Sequence, residues 1–248
     1  MRLTVVGCAG SFPGPDSPAS CYLVQVDGFR VLLDLGSGAL GPLQRHCAIA
    51  DLDAVLLSHL HPDHCMDVLP LYVARTYDPA GQHRPIPVHA PSGAAAHLGR
   101  AYGKGEEAGL EGAFDFHEWR PGPVAVGPLI VTVARTAHPV ETWAMRVEHA
   151  GRALAYSADT GPCDDVVRLA SGADLFLCEA SYQDGPDNPP DLHLTGRQAG
   201  EHAAAAGAAR LVVTHVPAWY DAEATLAEAG AAYDGPAELA KPGATYEI

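Results

Sequence analysis

Six consecutive residues, His59-Leu60-His61-Pro62-Asp63-His64, put three imidazoles and one carboxylate into a single short stretch of this chain. The apolar run ahead of them, residues 54–57, reads as a buried strand. Behind them Met66, Leu69, Val73 and Tyr77 recur at helical spacing and predict a helix over about 64–77. The six residues therefore form a strand-to-helix loop, and a loop at the end of a rigid strand can aim several ligands at one point. Imidazole and carboxylate together suit zinc. A lone histidine on an apolar strand fits a core position; four ionisable groups in this order fit none.

The rest of the sequence supplies rigid layers for such a loop. Short strands are predicted at 3–7, 21–26, 30–34, 54–58 and 86–89, and again at 129–135, 143–148, 153–158, 174–178 and 210–214. Further helices are predicted near 93–102, 163–171, 196–206 and 221–232. Thr195 with Gln198 is a capping-box signal, and Gly207 stands where that helix should stop. Two strand-rich halves, each with its own helices, predict an α/β fold of four layers, an αββα sandwich. No sequence repeat is visible, so any duplication is structural. The 26 glycines and 21 prolines lie between apolar runs and indicate long ordered loops. The segment 103–112 reads as a flexible surface stretch. With 248 residues, 48% of them hydrophobic, and no linker composition, 1–248 reads as one domain.

The hexad resembles the signature of the metallo-β-lactamase superfamily, in particular its two-metal hydrolases. That resemblance implies more ligands downstream, and three positions match: His138 after the strand 129–135, Asp159 in Ser157-Ala158-Asp159-Thr160-Gly161, and His215 in Val213-Thr214-His215. Taken alone, His138 and His215 serve equally as core residues or ligands. Each follows a predicted strand, where one edge of a sandwich collects them. By the resemblance, His59, His61 and His138 hold one metal, Asp63, His64 and His215 hold the other, and Asp159 bridges them. The implied cofactors are two zinc ions; manganese or iron suits the same ligands. His64, which true zinc β-lactamases usually lack, points instead to glyoxalase II-type thioester hydrolases and RNase Z-type phosphodiesterases.

His193, in Asp191-Leu192-His193-Leu194-Thr195-Gly196, precedes His215 by 22 residues. This spacing resembles the RNase Z-like phosphodiesterases, where it implies a general acid that protonates the leaving group. A capping or surface histidine is the other reading. Glu179 either orients His193 or is a structural carboxylate. Asp63 is implied to orient or deprotonate the attacking water. Asp34 is either a partner for a ligating histidine or a turn carboxylate. His46, His83, His89, His97, His117, His149 and His202 show no such placement and read as surface or packing residues; Cys65 reads as structural.

Residues 14–20, 57–61, 156–161 and 190–194 resemble actinobacterial cyclic-nucleotide phosphodiesterases of this fold. The resemblance implies hydrolysis of 3′,5′-cyclic AMP to 5′-AMP, and Ala158 departs from it where a glycine is commoner. It leaves the loop 11–20 as a substrate-contact or interface loop, or else a plain connection between two strands. Acidic residues outnumber basic ones 30 to 15, giving a net charge of −15 that opposes polyanion binding. The 20 residues between His138 and Asp159 leave no room for the basic arm with which RNase Z enzymes grip transfer RNA. A small phosphodiester is therefore expected as substrate in preference to nucleic acid. A transfer-RNA 3′-end endonuclease and a thioesterase or lactonase are the alternatives on the same metals. No apolar run approaches the ~18 residues of a membrane span. Six cysteines without a CxxC pair read as reduced thiols, and hence as a cytoplasmic protein. Trp219 and Tyr220 read first as packing against the core, and otherwise as lining a pocket or the interface of a homodimer.

Overall fold

The computed structural model describes residues 1–81, 83–104 and 110–248, so part of the predicted flexible segment 103–112 lies outside the described residues. The first half contributes strands β1 (Arg2–Gly7), β2 (Cys21–Val26), β3 (Phe29–Leu33), β4 (Ala54–Leu56), β5 (Ile86–Ala90) and β6 (Phe114–Glu118). The second contributes β7 (Gly122–Val126), β8 (Leu129–Arg135), β9 (Trp143–His149), β10 (Arg152–Tyr156), β11 (Leu175–Glu179), β12 (Leu211–Thr214), β13 (Ala237–Leu239) and β14 (Thr245–Glu247). Helices α1 (Leu40–Leu43), α2 (Pro62–Cys65), α3 (Val68–Thr76) and α4 (Ala94–Ala101) belong to the first half. Helices α5 (Asp164–Leu169), α6 (Gly196–Ala206) and α7 (Ala222–Ala232) belong to the second.

Two seven-stranded sheets result, in the orders β14-β1-β2-β3-β4-β5-β6 and β13-β12-β11-β10-β9-β8-β7. In the first, β14 to β3 pair antiparallel and β3 to β6 pair parallel. The second repeats the scheme, β7 to β10 antiparallel and β10 to β13 parallel. The duplication is in the backbone, and β14 closes the first sheet with the last residues of the chain.

Side-chain alternation sorts the strands into layers, because successive residues of a strand face opposite sides. Tyr22, Val24, Val31, Leu33 and Leu56 of the first sheet meet Met145, Leu154, Tyr156, Leu177 and Val212 of the second in one central core. Their neighbours Leu23, Leu32 and Val55 turn outward to Leu43, Leu71 and Leu98 of the first helical layer. Ala155, Phe176 and Val213 turn outward to Val166, Ala199, Ala203 and Ala229 of the second. The four-layer αββα sandwich follows, with each buried leucine worth about 2 kcal/mol.

The predicted helix over 64–77 is two helices, α2 and α3. Leu35 N–H donates to the His64 carbonyl at 2.8 Å, and Asp67 N–H donates to the Leu35 carbonyl at 3.1 Å. Both groups are thereby withdrawn from a continuous ladder. Pro70 also lacks the N–H that such a helix would donate to Met66. The Asp67 carboxylate accepts instead from the amides of Gly38 and Leu40, at 3.0 and 2.8 Å. The segment 34–40 is thus clamped against the hexad. Gly36 permits this approach, since a Cβ there would lie 1.8 Å from the Asp63 carbonyl oxygen. Strands β6, β7, β13 and β14 and helix α1 are additions to the predicted elements. The predicted strand 153–158 ends earlier, at Tyr156.

Candidate metal centre

The carboxyl ends of β3, β4, β8, β10, β11 and β12 open on one edge of the sandwich, and each exit delivers a polar side chain. Asp34 follows β3, the hexad follows β4, His138 follows β8 and Asp159 follows β10. Glu179 ends β11, and His215 follows β12. Three of these exits turn through left-handed backbone, at Asp34 (φ 58°), Ala158 (φ 51°) and His215 (φ 58°). Asp and His tolerate this region better than most residues; Ala158 does not, and carries strain of about 1–2 kcal/mol. Such a turn after a strand swings the next side chain sharply across the sheet edge, which here is Asp159.

The predicted ligand atoms come together in two groups. His59, His61, His138 and Asp159 form one, and Asp63, His64, Asp159 and His215 the other, with all ligand atoms of a group within 4.8 Å of one another. Asp159 belongs to both. His59 Nε2 lies 3.6 Å from Asp159 Oδ2, His64 Nε2 lies 3.2 Å from Asp159 Oδ1, and His215 Nε2 lies 3.1 Å from Asp63 Oδ2. Among the described residues, His46, His83, His89, His97, His117, His149, His202 and Cys65 fall outside every such group.

Hydrogen bonds on the far sides of the rings fix which nitrogen faces the centre. The His138 Nδ1–H donates to the Leu192 carbonyl at 2.9 Å, and a carbonyl can only accept. The Ser58 hydroxyl donates to Asp34 Oδ2 at 2.8 Å, so at 3.0 Å it accepts from His59 Nδ1. The Ser181 hydroxyl donates to the His215 carbonyl at 2.8 Å and accepts from His215 Nδ1 at 2.7 Å. His64 Nδ1 donates to Asp34 Oδ2 at 2.7 Å. In all four rings Nε2 is left to point inward with its lone pair.

This arrangement fits a pair of divalent cations on chemical grounds. His64 Nε2 and His215 Nε2 are 3.1 Å apart, and His61 Nδ1 and His138 Nε2 are 3.4 Å apart. Buried Asp159 Oδ1 has no hydrogen bond, a cost of several kcal/mol if nothing compensates it. Burial, together with the neighbouring His64 ring, holds His59 well below the ordinary histidine range, so it is neutral as a ligand must be. Burial opposes charge at His64 too, but Asp159, Asp34 and Asp63 outweigh it and push its pKa well above the ordinary histidine range. The Asp159 and Asp63 carboxylates beside Nε2 thus favour positive charge at the place a bound cation would take. Burial likewise works against ionised Asp63 and is outweighed by His64 and His215, which hold it well below the usual carboxylate range.

His193 stands at the rim, its side chain 12% exposed, with Nδ1 2.9 Å from Glu179 Oε1 and 4.0 Å from Asp159 Oδ2. Burial lowers its pKa, but the Glu179 carboxylate outweighs burial and raises it to about 9. Glu179 combines both of its predicted readings. Its Oε1 also accepts from Thr160 N at 2.8 Å and its Oε2 from Ser181 N at 2.9 Å, so it ties the β10 exit to the connection between β11 and α6 while holding His193. Asp34 resolves as a histidine partner and takes a third donor, the Tyr156 hydroxyl, at 2.7 Å. Sequence reasoning misses Ser58, Tyr156 and Ser181. Their signal is a hydroxyl at or just past the end of an apolar strand, within three residues of a predicted site residue.

A four-layer sandwich whose strand ends gather histidines and aspartates defines a class, the metal-dependent hydrolases of the metallo-β-lactamase fold. The β-lactamase superfamily domain matches residues 29–216, and this chain belongs to that superfamily. An uncharacterized protein of Mycobacterium tuberculosis is 46% identical over 235 residues, covering 92% of this chain and 85% of that protein. A ribonuclease Z of Mycobacterium bovis is 31% identical over 252 residues, covering 88% of this chain and 87% of the enzyme. The crystal structure of the metallo-β-lactamase fold protein YhfI from Bacillus subtilis superposes with a TM-score of 0.88 at 29% identity, over 100% of this chain and 99% of that one.

Proposed function

We propose that this chain is a dinuclear-metal phosphodiesterase that hydrolyses 3′,5′-cyclic nucleotides, converting cyclic AMP to 5′-AMP. The observation that carries the reading is His193: its Nδ1 is tied to Glu179 at 2.9 Å, which leaves Nε2 free to carry a proton beside the ligand cluster. Hydrolysis of an acyl substrate on the same metals has no need of an acid so placed. His59, His61 and His138 would hold one ion, Asp63, His64 and His215 the other, with Asp159 shared; zinc suits this set, as do manganese and iron. When bound, the ions would polarise the phosphoryl oxygen and acidify the attacking water.

The chain's own residues divide the remaining work. Asp63, an acceptor with its proton lost, orients the attacking water in line with the leaving oxygen. His193 delivers its proton to that oxygen, and Glu179 holds the ring in place and stabilises its charged form. Asp34, Ser58 and Ser181 keep the ligating rings in the right tautomer.

Similarity to ribonuclease Z favours transfer-RNA 3′-end cleavage as a second reading. Against it, β9, the turn Ala150-Gly151 and β10 account for most of the interval between His138 and Asp159, where an RNA-gripping arm would be inserted. The net charge of −15 opposes a polyanion as well. The six cysteines are free, which supports a reducing, cytoplasmic setting, and no described helix is long and apolar enough to cross a membrane. The test is turnover of cyclic AMP and of a precursor transfer RNA by zinc- or manganese-loaded protein. Cyclic AMP hydrolysis that falls about 10²-fold in His193→Ala supports the proposal. Cleavage of the RNA alone, or turnover indifferent to His193, overturns it.

A further inference from the structure

Two loops meet at the His215 side of the centre, and both end in exposed aromatic rings. Gly10 N–H donates to the Val216 carbonyl, and Ala9 bridges to both Ala19 and Val216. A Cβ at Gly10 would lie 2.2 Å from the His215 carbonyl oxygen, so the loop is seated directly on the residue that carries the ligand. The next residue, Ser11, has φ 63°, and Phe12 N–H donates back to the Gly10 carbonyl at 2.7 Å. This is a tight three-residue turn of the strained kind. It brings Ser11 N–H to 3.4 Å from His215 Nε2 and turns Phe12 onto Trp219, with ring centroids 4.7 Å apart. Phe12 is 36% exposed and Trp219 is 66% exposed. The Trp219 loop is tied in turn to the His193 side, because Gln183 Nε2 donates to the Asp221 carbonyl at 3.0 Å and the preceding Tyr182 ring packs edge-on to His193 at 5.2 Å.

An aromatic pair left in water beside a deep polar centre lacks a folding rationale: burying it would stabilise the chain, and strain at Ser11 is spent to hold it. We propose that Phe12 and Trp219 form a stacking platform for the nucleobase of the substrate, an inference that rests on the cyclic-nucleotide reading above. The base of a nucleotide lies one ribose away from its phosphate. A ring surface on the loop next to the metal-side amide of Ser11 can therefore meet the base while the phosphate occupies the centre. Stacking of this kind tolerates any base, because every base has a π-face.

Trp219 makes the platform directly observable, since Trp119 and Trp143 are buried at 4% and 6% exposure. Titration of the metal-loaded protein with 5′-AMP should quench the exposed tryptophan fluorescence, and Trp219→Phe should remove that signal. Trp219→Ala and Phe12→Ala should each raise KM for cyclic AMP about tenfold more than KM for a base-free 3′,5′-cyclic ribose phosphate. Equal effects on both substrates, or no quenching by 5′-AMP, overturn the platform even if wild-type protein hydrolyses cyclic AMP. Fluorescence that follows protein concentration instead of nucleotide, with Trp219→Ala shifting the sedimentation coefficient, assigns the rings to a contact with a second copy and also overturns it. Loss of cyclic AMP turnover in wild-type protein, with quenching by 5′-AMP retained, would sink the proposed reaction and leave the platform standing.

Discussion

Asp34 is fully buried, and one of its oxygens accepts from His64 Nδ1, the Ser58 hydroxyl and the Tyr156 hydroxyl. Asp34→Asn places an amide among those donors and leaves His64 without a fixed tautomer. Metal affinity, read by chelator competition, should fall 10- to 100-fold. Glu179 sets a second residue-level condition. Its carboxylate is what raises the His193 pKa to about 9 against the lowering effect of burial, and a general acid works only below its pKa. Glu179→Gln removes the charge, so the alkaline limb of the kcat profile should move to lower pH. A kcat profile with an unmoved alkaline limb would separate Glu179 from the proton transfer.

Helix α6 shows how an element carries the site without touching it. The Thr195 hydroxyl accepts from the Gln198 backbone N–H, Gln198 Oε1 accepts in turn from the Thr195 N–H, and Gly207 ends the helix with φ 61°. His193 lies two residues ahead of this cap, so the cap fixes where the chain carrying the imidazole leaves the helix. Thr195→Ala should cost about 1 kcal/mol in a denaturant titration, with a larger proportional loss in kcat than in metal affinity. The break between α2 and α3 has the same logic in reverse. A continuous helix would satisfy its own carbonyls, whereas the broken one lends the His64 carbonyl to Leu35 and so holds Asp34 beneath the His64 ring.

Across the whole molecule, the two sheets are joined beneath the centre by polar bonds as well as by the apolar core. Tyr156 of the second sheet reaches Asp34 of the first at 2.7 Å, and Tyr22 of the first is 2.6 Å from Thr214 of the second. Cations that bring ligands from both halves together should stabilise the entire sandwich. At a metal concentration 1,000 times Kd the gain is about 4 kcal/mol, which for a chain of this size is roughly 10 °C in Tm. Differential scanning calorimetry of chelated and zinc- or manganese-loaded protein checks this. Equal melting temperatures would mean that these residues do not hold a metal.

The candidate ligands His59, His61, Asp63 and His64 are legible in the sequence because four ionisable groups in six residues have no packing explanation. The main strands and α6 were legible because alternation and capping are local. His138, Asp159 and His215 are placed only by resemblance; His138 and His215 alone read equally well as core residues or ligands. Other features were decided by contacts between distant segments: the halves of the centre closing on Asp159, the tautomers set by Ser58, Leu192 and Ser181, the break before α3, and the edge strands β13 and β14. Local sequence sets period and chemistry. Which lone pair faces which neighbour depends on partners far apart in the chain, 152 residues for Asp63 and His215, and only the packed sandwich brings those together.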